Sequence, residues 1–245
     1  MIPEEIHKIA ALEGSHWWYV GMREISVSML RPFTKGRDLR ILDVGCGTGG
    51  NLRMLSAFGE ARGVDIDPLC VDYCRKQGLS CDQRAMGSLN QAPGSLDLVT
   101  MFDVLTQAES GAADATLAEI NTALAPGGLL AFRDPAMRIA GGTHHYAAGV
   151  QFRYSKPEVL SLLARTGFEP LRVTYLNTLL FPPIVVTRRL QDIAGGRSRT
   201  DSDVQPAAAP IQAALLAVLR LEKRLLRLTD LPFGVSVFTV ARKRA

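Results

Sequence analysis

Cysteine, histidine and tryptophan are all scarce in this chain of 245 residues, at four, four and two. The cysteines (Cys46, Cys70, Cys74 and Cys81) are too few for a disulfide framework and imply reduced thiols in or near the core. Cys70 and Cys74 stand at helical spacing, but no histidine lies near them in sequence to complete a zinc set, so no metal is expected. Long apolar runs are missing too. An apolar stretch with no charge, 173–187, contains Pro182 and Pro183 and is shorter than the roughly 20 residues that span a bilayer. Residues 1–11 are too polar for the apolar part of a secretory signal, so a cytoplasmic location is expected. There is no internal repeat. Net charge is only +4, and from Arg188 onward eleven Lys or Arg stand against five Asp or Glu. A solvated helix face explains that excess more simply than an anionic partner, although peripheral contact with a membrane surface stays open. At 47% hydrophobic residues, the chain has enough apolar surface for a core of ordinary size.

Against these absences one run stands out: Leu42-Asp43-Val44-Gly45-Cys46-Gly47-Thr48-Gly49-Gly50, followed by Gly63-Val64-Asp65-Ile66-Asp67. Residues 39–44 suit a parallel strand buried on both faces, and the alternate glycines let the backbone turn sharply and let a ligand come close. Asp65 follows Asp43 by 22 residues, near the offset of the acidic residue that grips ribose hydroxyls in nucleotide-binding βαβ units. Dinucleotide folds use G-x-G-x-x-G and seat a pyrophosphate on the helix N-terminus. Here the pattern is D-x-G-x-G-x-G, and a carboxylate beside the turn repels phosphate but suits an ammonium group.

That pattern resembles the first motif of the class I S-adenosylmethionine-dependent methyltransferases. The resemblance extends along the chain to a bacterial small-molecule subgroup with an N-terminal His-Trp-Trp helix. It is carried by His16-Trp17-Trp18-Tyr19, by Ser95-Leu96-Asp97-Leu98-Val99 with Phe102-Asp103-Val104-Leu105, and by Leu124-Ala125-Pro126-Gly127-Gly128. Arg153-Tyr154-Ser155, Thr166-Gly167-Phe168, Leu180-Phe181-Pro182-Pro183 and Leu231-Pro232-Phe233-Gly234 extend it; only 195–207 are unmatched. The implied fold is α/β: a Rossmann-like sheet of seven strands, mostly parallel with an antiparallel last strand, and helices on both faces.

The resemblance also implies a site. Asp65 is expected to accept hydrogen bonds from the ribose hydroxyls of S-adenosylmethionine, and Ile66 and Met86 to sandwich its adenine. The backbone of Gly45, Cys46, Gly47 and Gly49 should line the methionine moiety, with Asp43 and the Phe102 carbonyl favouring its ammonium. An alternative role for Asp65 is to cap the helix that follows. The subgroup's acidic residue after the third strand is absent from Gln83-Arg84-Ala85-Met86-Gly87, which leaves adenine to backbone and Ser88. On the acceptor side, His144 matches a histidine of the subgroup and His145 lies beside it. Either is a candidate general base, against the alternative of a loop histidine that only closes the site. The subgroup's second histidine is Val150 here, and its acidic-His pair is Thr106-Gln107. Trp17, Trp18, Tyr19 and Tyr154 are candidates for the pocket wall, with one of the two tryptophans expected to pack on the core.

Residues 1–245 read as one methyltransferase domain, with 1–35 as a helical cap and 177–231 as a helical insert between the last two strands. Within the insert, about 194–210 is rich in Gly, Ser, Asp and Pro and reads as a mobile loop, and 211–228 is amphipathic. The insert can serve as a lid, a dimer face or a membrane-surface helix, with core packing as the simplest assignment. The expected activity is methyl transfer to a small hydrophobic acceptor in secondary metabolism, of natural-product, quinone or prenyl type, leaving S-adenosylhomocysteine. The alternative is an S-adenosylmethionine-binding partner subunit without transfer activity. No Asn-Pro-Pro-Tyr-like motif supports a nucleic-acid substrate, so no nucleic-acid partner is expected. Oligomeric state is not legible.

Overall fold

The computed structural model describes residues 2–34, 36, 38–107, 112–136, 153–186 and 208–244. Helices α1 (Pro3–Leu12) and α2 (Trp17–Thr34) precede β1 (Leu39–Val44), α3 (Gly50–Leu55), β2 (Gly59–Asp65), α4 (Pro68–Lys76) and β3 (Cys81–Gln83). There follow β4 (Leu96–Phe102), α5 (Ala112–Ala123), β5 (Leu124–Pro135), α6 (Lys156–Arg165) and β6 (Phe168–Leu176). The described chain closes with α7 (Ala209–Leu225) and β7 (Ser236–Lys243).

The strands form one sheet in the order β3-β2-β1-β4-β5-β7-β6. β1 to β5 run parallel, and β7 inserts antiparallel between β5 and β6. The apolar runs of β1 and β4 are buried on both faces because helices cover both. On one face Leu117 and Ile120 of α5 and Val159 and Leu162 of α6 pack with Val99, Met101 and Phe132. On the other, Met22, Ile25 and Met29 of α2 and Leu219 of α7 pack with Leu98, Ala131 and Phe238.

Local sequence explains the boundaries. Asp67 is the N-cap of α4 and accepts a hydrogen bond from Leu69 N at 3.0 Å. Ser155 and Glu158 form the capping box of α6. β5 takes in Pro126-Gly127-Gly128: Leu124 pairs with Leu96, and an irregularity then absorbs Pro126 and Gly127 before Leu129 pairs with Leu98. Pro126 and Gly127 thus form a bulge within the ladder.

The inserted segment is tied down by packing. α7 lies on α2, where Gly21 allows the approach: a Cβ there would stand 2.3 Å from Leu219 Cδ1. Glu222 is fully buried and accepts hydrogen bonds from Asn177 N and Leu179 N, fixing the exit of β6. Among the described residues no helix is long and apolar enough to cross a membrane.

Candidate functional site

Register brings three strand ends level. Val44 pairs with Val64 on one side and Met101 on the other, so Gly45, Asp65 and Phe102 emerge together at the carboxyl edge. The sheet order reverses between β1 and β4, where open α/β sheets bind ligands. Gly45 and Gly47 both lie in the left-handed region (φ +70° and +55°). A Cβ on Gly45 would meet Val104 Cγ2 at 2.4 Å, whereas one on Gly47 would meet nothing within 4 Å. The loop is thus closed below and open above, a cradle floored by backbone.

Asp43 is 1% exposed, and Thr100 Oγ1 donates to its Oδ1 at 2.6 Å. Its Oδ2 has no partner among the described residues. Burial pushes its pKa up to about 7, the Thr100 bond lowers it, and the nearby Asp65 charge raises it. A buried carboxylate oxygen left unpartnered is costly, and a cationic group at the loop would offset that cost. Asp65 is half-buried. Its Oδ2 accepts from Gly47 N and its Oδ1 from Asp67 N, each at 2.9 Å, and each oxygen keeps lone-pair capacity for a hydroxyl. Burial still holds its pKa above the ordinary carboxylate range. Because Asp67 is the cap of α4, Asp65 is not needed in that role, which disfavours the structural alternative.

The start of α3 is occupied from within. Glu13 is buried, and its Oε2 accepts from Gly50 N at 3.1 Å, the position where dinucleotide folds seat a pyrophosphate. Arg53 lies 3.5 Å from Glu13 Oε1, and Arg23 donates to the Glu13 backbone carbonyl. A second negative charge has no place there, while Asp43 calls for a positive one. The arrangement fits S-adenosylmethionine and not a dinucleotide.

The remaining expected cofactor residues fall around this cradle. Ile66 is 68% exposed directly after Asp65, an apolar surface with no packing partner to account for it. Met86 is half-buried against the core. Cys46 turns its side chain down into the core, so only its backbone can face a ligand. Its sulfur lies 3.3 Å from Cys81 Sγ and 3.9 Å from Cys74 Sγ, so three of the four thiols converge, and Cys70 is not among them.

On the acceptor side the structure adds residues that sequence reasoning missed. Arg133 is buried, donates to the Asp103 carboxylate and to Ser26 Oγ at 3.3 Å, and sits 5.2 Å over the Phe102 ring. Asp103 follows β4 in a left-handed conformation (φ +63°) that non-glycine residues seldom adopt. Asp134 is fully buried and accepts from Thr106 N at 3.0 Å; burial, then the Asp103 charge, raises its pKa well above the usual range. The charged pair Arg133-Asp134, ending a strand of buried apolar residues, was the available signal. Glu13 carried none.

Both tryptophans pack against the second core, in an edge-on pair with ring centroids 5.6 Å apart, and Trp17 N donates to Gln212 Oε1 of α7 at 2.8 Å. One had been expected there. Tyr19 is half-buried, and its pKa is raised by burial and then by the charges of Glu5, Asp103 and Glu13, which places it near the strand ends. Tyr154 lies beside the end of β5, donating its backbone N–H to Pro135 O at 3.2 Å, and packs against the core on the α5 and α6 face. His144 and His145 lie outside the described residues, as does most of the expected mobile loop.

Residues 41–128 match a family model described as a methyltransferase domain. Over that stretch the chain resembles a methyltransferase domain, set in a Rossmann-like sheet of seven strands. No curated protein matches the chain in sequence. Among solved structures, SpnF, a [4+2]-cyclase, is similar with a TM-score of 0.56 at 22% identity, over 90% of this chain and 81% of that one. An S-adenosylmethionine-dependent methyltransferase from Archaeoglobus fulgidus gives 0.59 at 15%, over 90% and 94%. Phosphoethanolamine N-methyltransferase 2 of Haemonchus contortus, solved with S-adenosylmethionine, gives 0.58 at 18%, over 90% and 52%. At such identities these likenesses speak for the fold.

Proposed function

We propose that the chain transfers the sulfonium methyl group of S-adenosylmethionine to a small hydrophobic acceptor. The observation that carries this reading is the unpartnered, buried Asp43 Oδ2, on the strand beside β2 and two register positions before Asp65, next to a helix N-terminus already taken by Glu13. In this reading Asp65 holds the ribose, Ile66 and Met86 flank the adenine, and the backbone of Gly45, Cys46, Gly47 and Gly49 lies along the methionine moiety. Asp43 and the Phe102 carbonyl favour the ammonium group. The cofactor supplies an already activated methyl group. The protein's part is then to bring a nucleophile into line and exclude water, and such orientation can contribute about 7–11 kcal/mol.

Tyr19 lines the acceptor side, with Trp17, Trp18 and Tyr154 packed behind it on the two core clusters, and Arg133 with Asp103 forms the polar floor. His144, with His145 beside it, takes the acceptor's proton. The exposed apolar residues of the insert, Leu179, Val186 and Ile211, favour a hydrophobic acceptor. A second reading, cofactor binding without transfer, is favoured by Thr106 and Gln107. The Thr106 backbone serves Asp134, and Gln107 Nε2 donates to Asp103 O at 2.8 Å, so neither is shaped for proton transfer.

Calorimetry with S-adenosylmethionine and with NAD tests the cofactor assignment. Saturable binding of the first and none of the second is expected; the reverse would overturn it. Incubation with methyl-labelled cofactor and a panel of phenols, quinols and amines then separates transfer from mere binding.

A further inference from the structure

Three sulfurs meet beneath the glycine-rich loop. Cys46 comes from the loop itself, Cys74 from α4 and Cys81 from β3, and all three are at most 5% exposed. Their sulfurs lie within 4.8 Å of one another, with 3.3 Å between Cys46 and Cys81 and 3.9 Å between Cys46 and Cys74. No histidine or carboxylate joins them among the described residues.

The backbone between them explains how they meet. Cys46 N bonds to Val64 O on one side of β2, and Cys81 pairs with Gly63 on the other. The two side chains reach toward each other over Gly63, where a Cβ would stand 2.6 Å from Cys46 Sγ. The missing side chain at Gly63 is what opens the space. The sulfurs of Cys46 and Cys81, 3.3 Å apart, stand well beyond the roughly 2.05 Å of a disulfide bond. An ion between the sulfurs has no such requirement. With metal–sulfur bonds of about 2.3 Å, three thiolates in a plane stand about 4.0 Å apart, close to the spacing found here.

We infer that Cys46, Cys74 and Cys81 form a three-thiolate site for a soft d10 cation of the monovalent copper class. Zinc prefers four ligands, and a structural zinc site would need a fourth that these residues do not supply. Soft sulfur donors in a buried, three-coordinate cluster suit Cu(I). Binding releases the thiol protons to the buffer. The site touches the cofactor cradle directly, since Cys74 Sγ lies 3.3 Å from Gly47 O and Gly47 N donates to Asp65. Filling it ties the loop to α4 and β3, so occupancy changes cofactor affinity by several-fold. That last consequence rests on the cofactor reading; the ion site does not.

The test is an anaerobic titration of the reduced, full-length protein with Cu(I) buffered by a competing chelator. Stoichiometry, ultraviolet sulfur-to-metal charge transfer and X-ray absorption are the readouts. One equivalent bound by three sulfurs is expected, weakened at least 100-fold in Cys74→Ala and in Cys81→Ala but unchanged in Cys70→Ala. Circular dichroism checks that each variant is folded. For the wild-type protein, protection of three cysteines from alkylation by one equivalent of Cu(I) gives the same answer without mutation. Binding that is absent, that persists in Cys81→Ala, or that shows nitrogen or oxygen ligands overturns the site. Titration of the loaded and unloaded forms with S-adenosylmethionine then reads the coupling separately.

Discussion

Around β1 and β2 the chemistry is local: Asp43, the glycine loop and Asp65 lie within a span of 23 residues and are placed by one strand-turn-helix-strand unit. Around β4 to β7 it is assembled from afar. Arg133 of β5 reaches Asp103 after β4 and Ser26 of α2, Trp17 is tied to Gln212 of α7, and Glu222 of α7 fixes the exit of β6. On the proposed function the difference follows from what each half recognises: a constant cofactor held by one compact βαβ unit, and an acceptor enclosed by the helices that close over the strand ends. Some of the basic residues of the second half are paired. Arg220 and Lys223 engage Glu24, and Arg172 pairs with Asp230.

That contrast can be broken by mutation, and the largest effect is expected on the distributed side. If His144 is the general base, His144→Ala lowers turnover by about 10²–10⁴ with cofactor affinity nearly intact, and the pH–rate profile loses a limb near neutrality. His145→Ala should matter less. Turnover kept within a few-fold in both variants, with the limb preserved, would mean that orientation alone drives transfer.

On the local side, Asp65→Ala should weaken S-adenosylmethionine binding by about 10- to 100-fold, as charge-assisted hydrogen bonds of roughly 1.5–3 kcal/mol imply. Calorimetry on the folded variant measures it, and an unchanged affinity would remove Asp65 from the site. Because Asp67 caps α4, the loss should come with little change in thermal stability.

A smaller, pH-dependent effect is expected at Asp43. Its folded pKa of about 7 lies above the unfolded value, so folding favours the proton. The associated stability is complete below about pH 4 and is lost as pH rises through about 7. A cationic ligand needs the ionised form, so cofactor affinity should rise several-fold between about pH 6 and 7.5. In Asp43→Asn both slopes should flatten, and the affinity at pH 7.5 should fall. An unaltered affinity slope in that variant would assign the titration to another group.

The smallest effect is a null result. At physiological ionic strength the chain should bind DNA or RNA no better than non-specifically, because Arg220 and Lys223 of α7 already engage Glu24. A tight, sequence-dependent complex measured by filter binding across a salt series would overturn the small-molecule reading.

The sheet and the cofactor cradle were legible in the sequence because both depend on short-range rules. Apolar runs specify buried strands, glycines allow the left-handed turn at Gly45 and Gly47, and Ser155 with Glu158 announces α6. The resemblance to class I methyltransferases then named the ligand. Glu13 at the start of α3, Arg133 against Asp103 and Phe102, and the meeting of Cys46, Cys74 and Cys81 had no such signal. Each joins residues 28 or more positions apart, and their proximity exists only once strands pair in register and helices pack. By itself, then, the sequence determined the strand-loop-strand unit and the identity of its carboxylates. Only the tertiary structure decided that Asp43 Oδ2 is left without a partner, that α7 packs on α2, and that Gly63 opens a gap for three sulfurs. Side-chain burial and partner choice are properties of the assembled layers, which no local stretch of chain can specify.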